Sequence, residues 1–227
     1  MKERTNNRKI WIAGLILTAV ALTIVFLTEQ VLKPGYWIKS AVKVASFGGA
    51  ILLYVLLSKK KPCEVINLHK PKSIRKLLLC IALFFVGIIV LFLLFKSRID
   101  MASIRQSLVT KEGLTRKNCF FVFAYIIIVN SFLEEAFFRG FLSGIIPNKK
   151  AGYPVSALLF SLYHIGIIGS WFHPLILLLC IVGLAAVGLF LQFLSVRYRS
   201  VAAGWIVHAS ANVAINTIGA LLIFEVL

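Results

Sequence analysis

The chain has 227 residues, 60% of them hydrophobic, and a mean hydropathy of +0.94, which excludes an ordinary soluble globular domain. A formal net charge of +17 would direct a soluble protein toward nucleic acid. Here the lysines and arginines lie mostly between apolar blocks, where they act as topology signals and contacts to anionic lipid, so the bilayer is the expected partner and nucleic acid is not.

Seven stretches approach the ~20 apolar residues needed to cross a bilayer: roughly 10–32, 38–57, 77–95, 119–146, 153–170, 172–195 and 201–223. The fold class expected is therefore an all-α polytopic membrane protein of about seven transmembrane helices. The first stretch follows "MKERTNNRK" and contains Ala19-Val20-Ala21, which mimics a signal-peptidase site. Apolar sequence continues through Leu27, so an uncleaved anchor is expected. After the third stretch, "DMASIRQSLVTKEGLTRKN" reads as an amphipathic helix on the membrane surface. The short fifth stretch is expected to join the sixth by a tight turn at "GSWFHP".

Positive charge in short loops sets orientation. With the N-terminus cytoplasmic, four Lys/Arg in the first nine residues, seven in 58–76, Lys149, Lys150, Arg197 and Arg199 lie inside. Six in 96–118, together with Lys33, Lys39 and Lys43, lie outside. The balance favours N-terminus in and C-terminus out, in a multi-pass protein of the cell membrane, with a Lys- and Ile-rich style suggesting a bacterial plasma membrane. Cys63, Cys80, Cys119 and Cys180 show no C-x-x-C spacing and are expected to be free thiols. Residues 1–118 carry no motif; residues 119–227 carry the polar core of what is one integral domain.

Ionisable residues inside a membrane are costly and mark function by default. Of eight acidic residues, only Glu134 and Glu135, in "NSFLEEAFFRGF", fall well inside a span. Counting ~1.5 Å per residue from the expected cytoplasmic ends, Glu134 lies ~18 Å deep, Arg139 ~10 Å, His164 ~17 Å, His208 ~10 Å and Asn212 ~17 Å. Three helices thus bring a carboxylate, two imidazoles and an amide to overlapping depths in the cytoplasmic half. Glu135 and Arg139, four apart, share a helix face and can pair. Glu134 points about 100° away with Asn130 and Phe138, has no basic partner on its own helix, and is the carboxylate suited to exchange protons. His208 and Asn212 share a face as well. Plainer readings stand beside these: a neutralised ion pair, packed histidines, and an asparagine that joins helices.

E-E-x-x-x-R at Glu134, Glu135 and Arg139, F-x-x-x-H at Phe160 and His164, and H-x-x-x-N at His208 and Asn212 follow one another on three polar-bearing spans. This arrangement resembles the CPBP family of intramembrane proteases, which includes type II CAAX prenyl endopeptidases and bacterial Abi proteins linked to bacteriocin processing and self-immunity. The resemblance covers roughly residues 119–216. It implies an endopeptidase acting on a membrane-associated peptide or protein near the cytoplasmic half of the bilayer. Glu134 would be the general base, His164 would help to hold the water, Glu135 and Arg139 would be a structural ion pair, and His208 and Asn212 would steady the oxyanion. The cofactor is left open between none and a divalent metal such as zinc. Glu134, His164 and His208 would supply three zinc ligands and leave a fourth position for water. The lack of an H-E-x-x-H helix, and the loss of the base if Glu134 becomes a ligand, put a metal-free site ahead. The alternative function is a non-catalytic bacteriocin immunity or resistance protein that acts by binding. A proton-coupled transporter ranks lower, because no repeated halves are visible.

Overall fold

The computed structural model describes residues 2–71, 75–169 and 172–227, and among them all regular structure is helical. Seven helices are long and apolar enough to cross a membrane: Arg8–Leu32, Tyr36–Ser58, Arg75–Arg98, Cys119–Ile145, Lys149–Ile168, Pro174–Arg197 and Val201–Ile223. They are called the first to seventh spans below. The expected fold class is present. The expected turn at "GSWFHP" lies partly outside the described residues; beyond it, Pro174 opens the sixth span, with the His173 ring accepting from Leu175 N–H at 3.4 Å.

Helix ends are set by local chemistry. Asp100 accepts from Ser103 N–H at 2.9 Å and starts the surface helix Met101–Thr110, and Asn148 accepts from Lys150 N–H at 3.0 Å to start the fifth span. Ser200 caps the seventh span through Ala202 N–H at 3.2 Å, and its hydroxyl donates to the His69 carbonyl, tying the loop after the second span to this end. Such caps satisfy N–H groups that the first helical turn leaves without partners.

Alternation of direction divides the connections between two faces. One carries 33–35, the surface helix, 111–118 and the C-terminus; the other carries 59–71, 146–148 and 198–200. On the second face the fourth span crosses the loop at Ile66 closely, and a Cβ at Gly140 would stand 2.5 Å from the Ile66 carbonyl oxygen. Only glycine permits this approach.

The fourth span is not a uniform α-helix. π-helical segments Ile126–Asn130 and Ala136–Leu142 flank the α-helical Ser131–Glu135. π-turns shift the side chains around the axis and recur at functional sites, and here they bracket both glutamates. Below them, toward the 146–148 face, Phe47, Phe137, Phe138, Phe141 and Phe160 are all buried, with Phe47 and Phe137 stacked at 4.0 Å between centroids. Aromatic packing of this kind fills most of that half of the bundle, with the buried Arg139, Ser143 and Ser156 among the rings.

Candidate active site

Glu134 and Glu135 are both buried, with 1% and 0% of their surface exposed. Burying a carboxylate is tolerable only if it is paired and hydrogen-bonded, and the two solve this differently. Glu135 Oε1 lies 3.2 Å from Arg139 Nη1 and accepts from His208 Nδ1 at 3.0 Å. Arg139 is itself buried and lays its guanidinium over the Phe160 ring, 3.9 Å from the centroid, a cation–π contact strengthened by desolvation. The expected Glu135–Arg139 pair is present. It also holds His208.

Glu134 uses its oxygens unequally. Oε1 accepts from Asn130 Nδ2 at 2.9 Å and from the Tyr163 hydroxyl at 3.0 Å, with Lys43 Nζ at 3.8 Å. Oε2 faces His208 Nε2 at 3.8 Å, too long for a hydrogen bond and a spacing suited to a bridging water. One oxygen is anchored and the other is available.

His164 Nδ1–H donates to the Phe160 carbonyl at 2.7 Å, which leaves Nε2 as the nitrogen available to the site. The Phe160 ring sits between the two imidazoles, 4.6 Å from His164 and 5.9 Å from His208 between centroids. Asn212 Nδ2 donates to the Ile126 carbonyl at 3.4 Å, where the π-turn begins. The structure therefore joins Glu134, Glu135, Arg139 and His208 directly. His164 comes in through Phe160 and its chain neighbour Tyr163, while Asn212 points at backbone rather than at the carboxylates.

Three partners of Glu134 were not among the candidates: Asn130, noted only for sharing its face, Tyr163 and Lys43. Lys43 is the consequential one, because Glu134 lacks a basic partner only on its own helix, and the second span provides one. Lys43 lies seven residues into that span, 8% exposed. The rule that flags a buried charge applies to it as fully as to the glutamates.

From Lys43 a polar trail continues upward. Lys43 Nζ donates to Asn130 Oδ1 at 3.0 Å, and one turn earlier Lys39 Nζ lies 2.7 Å from Glu112 and 3.2 Å from Glu29. Gln30 donates to the Gly166 carbonyl at 2.5 Å, two residues from His164. The trail runs toward the face of 33–35 and 111–118, while the phenylalanine layer lies toward the other. By rise per residue Glu134 lies ~17 Å from Ile145 and His164 only ~6 Å from Ile168. In the fourth span, Cys119–Ile145, Glu134 is ~22 Å from the Cys119 end, so the cluster lies nearer the 146–148 end of this helix and nearer the opposite end of the fifth.

A zinc site on Glu134, His164 and His208 does not fit these residues. Among the described residues no three His, Cys, Asp or Glu side chains gather closely enough to hold an ion, and an ammonium stands 3.8 Å from Glu134 Oε1. No step below is routed through a metal.

Fold and site together define a polytopic helical membrane protein with a glutamate-centred polar site buried among its spans. Residues 116–214 match the family model described as Type II CAAX prenyl endopeptidase Rce1-like, in agreement with the protease family that the three motifs resemble. The match lies in the second half of the chain and contains every motif residue; Lys43 is outside it. Neither a curated protein nor a solved structure matches the chain.

Proposed function

We propose that the protein is an intramembrane endopeptidase that hydrolyses a membrane-associated peptide or protein with a glutamate-activated water. The observation that carries this reading is the asymmetry of Glu134: Oε1 is held by Asn130 and Tyr163, and Oε2 faces His208 across 3.8 Å. A water on Oε2, steadied from the side of His164 Nε2, gives its proton to Glu134 as its oxygen attacks the scissile carbonyl carbon. Charge that develops on the carbonyl oxygen is met by Asn212 once its amide leaves the long bond to Ile126, and by His208 when both ring nitrogens carry protons, Nδ1–H held by Glu135 and Nε2–H donating. The C–N bond then breaks, and Glu134 returns the proton to the departing nitrogen. Glu135 serves twice, neutralising Arg139 and orienting His208 through Nδ1.

The first test compares peptide termini in membrane fractions of cells expressing wild type and Glu134→Gln at matched levels. New termini that depend on the wild-type protein are expected, and they identify the cut. Identical termini, from a folded variant, would move the weight to the binding role of an immunity or resistance protein.

In a bacterial plasma membrane with the N-terminus inside, the polar trail opens to the exterior. A membrane-impermeant thiol reagent is then expected to label Lys117→Cys in intact cells, and the exposed native Cys63 only after permeabilisation. The opposite pattern inverts the protein and turns the open end of the site to the cytoplasm.

A further inference from the structure

We infer that Lys43, from the half of the chain outside the family match, is a positioning residue of the hydrolytic site: it fixes Glu134 so that a single carboxylate oxygen meets the water. This rests on the endopeptidase reading. The second span passes the fourth closely enough that Phe47, four residues after Lys43, stacks on Phe137 at 4.0 Å and meets Phe138 edge-on at 5.7 Å. That packing sets the rotation of the second span and aims Lys43, on the same face, at Glu134.

Lys43 Nζ then has three neighbours: Asn130 Oδ1 at 3.0 Å, Glu134 Oε1 at 3.8 Å and the Tyr163 ring at 5.2 Å from its centroid. Asn130 and Tyr163 are also the two groups that donate to Glu134 Oε1. The lysine therefore acts on that oxygen directly through charge and indirectly through both donors. Its pull on Asn130 Oδ1 fixes which end of that amide faces Glu134, because only Nδ2 can donate to a carboxylate. Without the ammonium, the amide is free to turn its oxygen toward Glu134 and the carboxylate loses a donor. A neutral side chain of the same reach would keep the packing and lose this arrangement. The other charged and titratable groups around Glu134 are Tyr36 from the second span, Tyr125, Glu135 and Arg139 from the fourth, His164 from the fifth and His208 from the seventh, and among the described residues none of them bonds to Oε1.

The test uses the full chain, purified into liposomes, and a fluorogenic peptide spanning the cut mapped in cells. Lys43→Met, matched in length without charge, and Lys43→Gln, which keeps a donor for Asn130, are measured with Lys43→Arg and Glu134→Gln. Misplacing a reacting group by about 1 Å costs on the order of 10²-fold in rate, so kcat is expected to fall about 10²-fold in Lys43→Met with KM nearly unchanged. Lys43→Arg is expected to recover part of the loss. Wild-type kcat in a folded Lys43→Met overturns the proposal, as does a change confined to KM, which would make Lys43 a substrate contact. Failure of both neutral variants to fold makes it a structural counter-charge and also overturns the proposal. A Glu134→Gln protein as active as wild type defeats the endopeptidase reading itself, whatever Lys43 does.

Discussion

Replacing Arg139 by Met is expected to destabilise the protein by about 3–5 kcal/mol, the cost of removing one partner from a buried ion pair. Both side chains of the Glu135–Arg139 pair are 0% exposed, and their closest atoms are 3.2 Å apart. The variant leaves a carboxylate with His208 as its remaining polar contact and removes the guanidinium packed on Phe160. The methionine fills part of that volume, so the loss reflects the stranded charge more than a cavity. Reversible unfolding in mixed micelles measures it, and a loss below about 1 kcal/mol would show that the pair contributes little beyond neutralising itself. The double variant Glu135→Gln with Arg139→Met is expected to regain part of the stability, because no bare charge is left. It should not regain activity, because Glu135 also holds His208.

That dual use marks how far the site is legible in the sequence. Glu134, Glu135 and Arg139 stand out because charges in an apolar run need partners, and their spacing identifies the pair. His164 and His208 stand out by order and depth. The tie between Glu135 and His208 spans two helices, and spacing along one helix cannot reveal it. Lys43 was hidden for another reason: a lysine near a span end serves equally as a topology signal, and only the packing of Phe47 on Phe137 shows which way it faces. The seven spans follow from composition alone, whereas the π-turns of the fourth do not. They arise where tertiary contacts outweigh regular i→i−4 bonding, as where Asn212 reaches the Ile126 carbonyl.

Gly204→Ala is expected to lower kcat about 10²-fold, the scale of a small misplacement of a reacting group, while stability falls by only about 1–3 kcal/mol, as for overpacking. Gly204 faces Glu135 from the seventh span, one turn before His208. A Cβ there would stand 2.7 Å from Glu135 Oε2, 3.0 Å from Ser195 Oγ and 3.3 Å from the Leu191 carbonyl oxygen. The backbone contact can be kept with small shifts, but the carboxylate contact cannot, so Glu135 must turn. Its Oε2 has no hydrogen-bond partner among the described residues and resists little. Its Oε1 is the atom that holds His208 Nδ1 and Arg139, so any turn loosens both. His208 then loses the contact that fixes its ring, and Nε2 drifts from Glu134 Oε2 while Glu134 keeps its own anchors, Asn130 and Tyr163. The effect should therefore appear in kcat with KM little changed, in a protein that still folds. A Gly204→Ala variant with wild-type kcat would mean that the orientation of His208 does not depend on Glu135, and that the second glutamate of the pair serves Arg139 alone.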